Sequence, residues 1–376
     1  MIIHSLLFSL ISFITGADSI GSAPQAELLF VGDAMQHQAQ LDRASQLANG
    51  SGYDYSDCFT LIAPTVTSAD YAVCNLEVPL GGGPDYTGYP CFSAPDSYAI
   101  ALRDAGFDLM LTANNHCLDR RDKAARRTLT ALDSLGIDHI GTYHDEAQRD
   151  SLVPFIKDIN GFKIGFLNYT YGTNGIPPRE GVEVSMIDRD KMAHEIKLTR
   201  EAGAEIVVVA MHWGIEYVLL ENGVQRDLAD FLVDQGVDLI IGGHPHVIQP
   251  MKVVRNEKEN KDVLVVYSLG NFISNMKTAD TRGGALVRAF IVRDPDGKAR
   301  FSHADYDTFF SAKPAGGKSN FKVIPSWIPE EIPAQQKAHW LLFERGAQKI
   351  FDTHNVNVPR RQKYPHPNPI TISNPL

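Results

Sequence analysis

Apolar and polar positions along this chain repeat one arrangement, a short apolar run that stops abruptly at a polar cluster. Residues 27–31 (ELLFV) run into Gly32-Asp33, 71–74 (YAVC) into Asn75-Leu76-Glu77, and 107–111 (FDLML) into Thr112-Ala113-Asn114-Asn115-His116. Residues 206–211 (IVVVAM) run into His212-Trp213-Gly214, 237–241 (VDLII) into Gly242-Gly243-His244-Pro245-His246, and 263–267 (VLVVY) into Ser268-Leu269-Gly270-Asn271-Phe272. Short continuous runs of aliphatic and β-branched residues predict strands buried on both faces. A helical period separates several of them. Within 119–136, Ala125, Leu129 and Leu132 fall at i, i+4 and i+7, and Gly136 ends the stripe; within 225–236, Leu228, Phe231 and Leu232 do the same before Gly236. Strand, helix and strand in alternation predict a largely parallel sheet with helices packed outside.

Parallel strands align their C-terminal ends along one edge, where open α/β sheets bind ligands. The polar clusters are therefore expected to converge although long stretches of sequence separate them. Residues 81–95, rich in Gly, Pro and Tyr, read as a loop over that edge. Residues 290–306 are expected to add edge strands. The pattern thins beyond 312, where Trp327 and Trp340 are expected to pack a C-terminal extension (312–376) onto the main domain (24–311); the five prolines of 359–376 predict an extended tail.

Composition narrows the class. The chain has 376 residues, 44% apolar and 21% charged, which excludes disordered, collagen-like and coiled-coil proteins. A net charge of -10 argues against a duplex nucleic-acid partner, which requires a cationic footprint. Residues 1–14 (MIIHSLLFSLISFI) are apolar and carry no formal charge, and small residues follow at 15–17 and 21–23. That core is short for a membrane span and predicts a signal peptide over 1–23, with export to the periplasm or cell envelope. Cys58, Cys74, Cys91 and Cys117 permit disulfides in an exported protein, but no pairing is singled out, and Cys74 in its apolar run reads as a buried free thiol. None has CxxC spacing, so a cysteine zinc cage is not expected.

The clusters supply Asp33, Glu77, Asn115, His116, His212, His244 and His246. Carboxylate, imidazole and amide oxygen together suit one or two divalent ions such as manganese, zinc or iron. With Glu77 as a shared carboxylate, two cations would activate a water and clamp the oxygens of a displacement. Each residue alone also has an ordinary reading. Asp33 could cap a helix, Glu77 could be a solvated loop carboxylate, Asn114-Asn115-His116 could be turn chemistry, and His212 could be a hydrogen-bonded core-edge histidine. The sharpest local feature is Gly242-Gly243-His244-Pro245-His246, where glycines permit close backbone approach and proline limits the spread of two imidazoles.

Six motifs in order resemble the CapA family of poly-γ-glutamate capsule biosynthesis proteins. They are Gly32-Asp33, Asn75-Leu76-Glu77, the segment from Ala105 to Asp119 (AGFD…ANNHCLD), and the segments 212–217 (HWGIEY), 242–250 (GGHPHVIQP) and 267–272 (YSLGNF). That family is similar to the calcineurin-like metallophosphoesterases. The resemblance implies an α/β fold, a metallophosphatase-like layered sandwich of β-sheets flanked by α-helices. It implies metal ligands at Asp33, Glu77, Asn115, His212, His244 and His246, with His116 as general acid or transition-state stabiliser. Asn114, Glu216 and Asn271, within the same motifs, are assigned to substrate binding. The implied activity is a metal-dependent hydrolase or transferase acting on a phosphoester or an amide-linked envelope polymer, alongside other capsule synthesis components. The alternative is a non-catalytic polymer-binding or export component. The chain departs from the phosphoesterase pattern at Met35, where a histidine is expected two residues after the first aspartate; a thioether is a poor ligand for a hard ion, so either His37 reaches in from the next turn or the first metal position is weak or empty. Arg120-Arg121 after Asp119 read either as a solvated helix start or as an anion contact.

Overall fold

The computed structural model describes residues 25–362; the segment 1–23, expected to be a signal peptide, and the tail beyond 362 lie outside the described residues. The strands are β1 (Gln25–Ala34), β2 (Tyr71–Leu76), β3 (Leu109–Leu111), β4 (Asp138–Ile140), β5 (Thr142–Tyr143), β6 (Phe155–Ile159), β7 (Phe162–Thr170) and β8 (Glu183–Val184). They continue as β9 (Ile206–His212), β10 (Leu239–Gly243), β11 (Met251–Asn256), β12 (Lys261–Val266), β13 (Asn271–Ile273), β14 (Gly283–Arg293), β15 (Ala299–Ala312) and β16 (Lys322–Pro325). The helices are α1 (Gln38–Leu47), α2 (Ala63–Val66), α3 (Asp96–Asp104), α4 (Arg121–Leu135), α5 (Glu146–Leu152), α6 (Arg189–Glu201), α7 (Gly223–Asp234) and α8 (Lys337–His354).

The apolar runs divide between two sheets. One has the order β16-β15-β14-β1-β2-β3-β4, with β13 also paired to β1; the other has the order β11-β12-β10-β9-β7-β6. The neighbours β1-β2-β3-β4 are parallel, as are β7-β9-β10-β12. The single parallel sheet expected from the alternation is thus two, and the reason is physical. A strand buried on both faces has the same apolar run whether its second face meets a helix or another sheet. Side-chain alternation shows which partner each face has. Leu28, Phe30, Ile206, Val208, Leu239 and Ile241 share the core between the sheets. Leu29, Val31 and Cys74 face α1 and α3 in a second cluster, and Val207, Val209 and Ile240 face α6 and α7 in a third. The result is helix, sheet, sheet, helix, a layered α/β sandwich.

Residues 290–306 are not edge strands. They belong to the long β14–β15 hairpin, and β14 lies inside the sheet, antiparallel to both β15 and β1. The edge strand on this side is β16, beyond the expected domain boundary, and α8 packs Trp340, Phe343 and Phe351 into the central core. Trp327 is partly buried against the β16 side.

The helices begin and end where their chemistry directs. Asn222 caps α7 reciprocally with Gln225: Gln225 N–H donates to Asn222 Oδ1 (2.9 Å) and Asn222 N–H to Gln225 Oε1 (3.0 Å). Gly136 takes the left-handed conformation (φ 67°) that ends α4. All four cysteines are free thiols. Among the described residues no helix is long and apolar enough to cross a membrane.

A candidate metal centre at the joined sheet rims

Asp33 is placed by an irregularity in β1. The pairing of β1 with β2 shifts register between Phe30 and Asp33, and beyond Phe30 the partner strand β14 gives way to β13, so that Asp33 pairs with Asn271. A bulge of this kind re-aims the side chain that follows it. Gly32 permits it, since a Cβ there would lie 1.8 Å from the Gly270 carbonyl oxygen, which accepts from Asp33 N–H at 3.0 Å. Glu77 follows β2, Asn115 and His116 follow β3, His212 ends β9, and His244 and His246 follow β10. The two histidines flanking Pro245 have φ of 97° and 59°, left-handed values that non-glycine residues adopt only when their surroundings enforce it.

The structure brings these side chains together from both sheets. Glu77 Oε1 lies 3.6 Å from His212 Nε2 and 3.8 Å from His246 Nε2. His212 Nε2 is 2.8 Å from Asn115 Oδ1, and His246 Nδ1 is 3.3 Å from Asp33 Oδ2. Three sets have ligand atoms within 4.8 Å of one another: Asp33, Glu77 and His246; Glu77, His212 and His244; and Glu216, His244 and His246. All but Glu216 are buried.

The electrostatics suit a cation. Asp33 and Glu77 are both fully buried, and among the described residues their ion-pair partners are histidines only. Burial, then the neighbouring Asp33 charge, pushes the Glu77 carboxyl well above its ordinary range. Burial acts on Asp33 in the same direction, but the hydrogen bond and charge of His246 outweigh it and hold the group below its ordinary value. Burial, reinforced by neighbouring imidazoles, pushes His212 well down and His244 down to about 4, leaving them neutral, the form that ligates metals. Glu77 Oε1 and His244 Nδ1 are buried without a hydrogen-bond partner. Buried polar atoms left unpaired are costly. Two buried carboxylates, one with an unpaired oxygen, beside the neutral imidazoles of His212 and His244 are the donor set of a divalent-metal site, and the residues present fit one.

Amides hold the ligands in place. Asn75 Nδ2 donates to Asp33 Oδ1 (2.8 Å), and Asn114 Nδ2 donates to Asn75 Oδ1 (3.1 Å) and the Leu76 carbonyl (2.9 Å). Asn271 Oδ1 lies 3.0 Å from His246 Nδ1, while its Nδ2 donates to the Thr281 carbonyl. Asn114 and Asn271 are fully buried. In this arrangement they orient neighbouring site residues from behind. Asn174 accepts from Asn115 Nδ2 (3.2 Å), which turns the Asn115 oxygen towards His212. His116 Nδ1 is 2.8 Å from Asp119 Oδ2, and Phe92, from the loop 81–95, packs edge-on against the ring at 4.7 Å. The same loop donates Phe92 N–H to Asp119.

Neither candidate for the missing histidine reaches the centre. Met35 is buried in the apolar cluster beneath α1 and α3, and His37 caps α1 with Nδ1 accepting from Asn275 N–H at 3.3 Å. Arg120 is half-buried and donates to the Asp85 carbonyl, whereas Arg121 is exposed. Exposed tyrosines surround the opening. Tyr171 packs on His212 and His244, Tyr217 on His246, and Tyr89 on Phe92. Asn75, Asp119, Tyr171 and Asn174 escaped the sequence reading as site residues. The first two stand inside its motifs, and the others follow β7, a strand ending in a polar cluster like the rest. A cleft of about 500 Å³ lies at the other end of the second sheet, where Asp238 is paired with Arg200 and Lys261.

Comparison with known proteins follows the same residues. A family model described as bacterial capsule synthesis protein PGA_cap matches residues 27–276. The chain is 29% identical over 271 residues to the capsule biosynthesis protein CapA of Bacillus anthracis, covering 69% of this chain and 62% of that one. It is 27% identical over 290 residues to the PGA biosynthesis protein CapA of Bacillus subtilis (strain 168), covering 73% and 70%. The match therefore spans less than two thirds of the Bacillus anthracis relative. Among solved structures, the Haemophilus influenzae NAD nucleotidase aligns with a TM-score of 0.49 at 13% identity, over 89% of this chain and 65% of that one.

Proposed function

This chain belongs to the PGA_cap family of bacterial capsule synthesis proteins, and from that premise we propose that it is an exported metal-dependent hydrolase or transferase. Its substrate is a phosphoester or an amide-linked anionic polymer of the cell envelope such as poly-γ-glutamate. One observation carries the reading: Asp33 and Glu77 are buried side by side, among the described residues with only histidines as ion-pair partners, in reach of His212, His244 and His246.

Asp33, Glu77 and His246 would hold one divalent ion, and Glu77, Asn115, His212 and His244 a second. Bound there, such ions supply Lewis acidity, lowering the pKa of a water and polarising a phosphoryl or carbonyl oxygen. The chain's own residues do the rest. Asp119 accepts from His116 Nδ1, which fixes tautomer and ring orientation and leaves Nε2 to exchange a proton with the leaving group. Phe92 presses on the same ring and keeps it from turning. Tyr171 and Tyr217 flank the entrance and cover the imidazoles of His244 and His246.

A polymer-binding component without catalysis is the second reading. The observation favouring it is that Met35 and His37 leave the Asp33 group with three protein donors. The experiment is elemental analysis of the purified protein, as isolated and after loading with Mn²⁺, with hydrolysis assays on a phosphodiester and a γ-linked glutamate oligomer. Metal uptake with turnover, both lost in His212→Ala and His244→Ala, is expected. A protein that holds no divalent ion after loading overturns the enzymatic reading.

A further inference from the structure

Met35 packs in the core and His37 is tied to Asn275, so on the Asp33 side the buried carboxylate and imidazole donors among the described residues are Asp33, Glu77 and His246. One further carboxylate reaches the centre from the solvent side. Glu216 lies in the loop between β9 and α7, and one of its oxygens is within 4.8 Å of a ring nitrogen of both His244 and His246. His246 belongs to the Asp33 set and His244 to the His212 set, so Glu216 stands over both positions. His244 is 3% exposed, and its Nδ1 has no hydrogen-bond partner.

The loop is built to hold this carboxylate there. Trp213 N–H donates to the Gly243 carbonyl (3.1 Å) and Tyr217 N–H to the Pro245 carbonyl (2.8 Å), fastening both sides of Glu216 to the strand end that bears the two histidines. Gly214 and Tyr217 both take left-handed backbone, φ 92° and 66°. In Tyr217 that conformation is strained and persists only where the surroundings enforce it. Glu216 is itself exposed, unlike every other donor of the cluster. A buried ligand is enclosed by protein; an exposed one can be exchanged for another oxygen without disturbing the core.

Resting on the reading of the cluster as a metal centre, we infer that Glu216 is a displaceable carboxylate ligand of that centre, completing it from the solvent side and giving way to an anionic oxygen of the substrate. The carboxylate serves as a stand-in for the substrate's phosphoryl or carboxyl group. It keeps the ions bound between turnovers and gives the loop 213–217 a reason to follow the occupancy of the site.

The test is isothermal titration of the full chain with Mn²⁺, comparing wild type with Glu216→Gln, with and without saturating inorganic phosphate. Thermal melts in chelator establish that both proteins are folded. Without phosphate, the variant should bind Mn²⁺ roughly 10-fold or more weakly, the scale on which residues that support a metal act. With phosphate, the gap should close to within about twofold, because the anion takes the vacated position in both proteins. Equal Mn²⁺ binding without phosphate overturns the ligand role while leaving the metal centre intact. A deficit that persists undiminished in phosphate overturns displaceability. Failure of wild type to bind Mn²⁺ at all overturns both this inference and the reading on which it rests.

Discussion

Replacing Glu77 by Gln should raise stability in chelator and lower it in metal. Glu77 is fully buried, beside a second carboxylate, and both burial and the Asp33 charge act against its ionised form. Glutamine matches its shape and supplies an N–H that can donate to Asp33, while removing one charge from the pair. Relief of such a functional strain is commonly worth about 0.5–2 kcal/mol. In the presence of Mn²⁺ at 100 times its dissociation constant, wild type gains about 2.7 kcal/mol from one bound ion, which the variant forgoes. At about 2.1 cal/mol/K per residue, unfolding roughly 340 residues carries an entropy of about 0.7 kcal/mol/K. The variant should then melt about 1–3 °C above wild type in chelator, and about 1–3 °C below it in Mn²⁺. Differential scanning calorimetry of both proteins under both conditions reads the crossing directly. If Glu77→Gln melts below wild type in chelator, or if Mn²⁺ lifts both proteins equally, the charge argument for the site is wrong.

Two further outcomes follow from particular contacts. His116→Gln should lower kcat by about 10²–10⁴-fold, the range for loss of a proton-transfer group, with bound metal unchanged; loss of metal with activity would reassign His116 to the ligand set. Asp307, within β15, is fully buried, and burial, partly offset by Arg360, pushes its carboxyl up to about 7. Its folded value lies above the unfolded one, so its contribution is fully present below about pH 4 and declines as pH rises to about 7. Wild type should lose about 2 kcal/mol relative to Asp307→Asn between pH 5.5 and 7.5; parallel melting curves across that window would refute the shift.

Much of the site was legible because its residues obey a local rule. A strand buried on both faces cannot carry polar side chains inward, so the chemistry collects where the apolar run ends, at Asp33, Glu77, His212 and His244. The number of sheets was not legible, since IVVVAM at 206–211 is equally consistent with a sheet or a helix on its second face. Edge position was misread at 290–306 because strand order depends on long-range pairing. Alanine, valine and phenylalanine suit an inner β14 as well as an outer one. Asp119 was within reach of the sequence, standing three residues after His116 in a turn whose ends meet. Tyr171 and Asn174 required recognising β7, whose Asn168 within the apolar run weakens the strand pattern; that asparagine accepts from Ala113 N–H and ties the two sheets together beside the site.

The residues behind the ligands are amides, and the choice follows from charge. Asn75 bonds Asp33, Asn114 bonds Asn75, Asn174 bonds Asn115, and Asn271 faces His246. An arginine or lysine in any of these places would orient a carboxylate as well, but it would also neutralise it and compete with the cation for which the carboxylates are buried. Another acid would add to a desolvation cost already concentrated at Asp33 and Glu77. A neutral donor fixes geometry and leaves the net charge of the cluster untouched. The same logic accounts for the neutral imidazoles, since a protonated His212 or His244 would satisfy the carboxylates internally. The centre is thus kept short of positive charge by the composition of its supports as much as by its ligands. Exchanging one amide for a cation, as in Asn75→Lys, trades an ion site for an internal salt bridge.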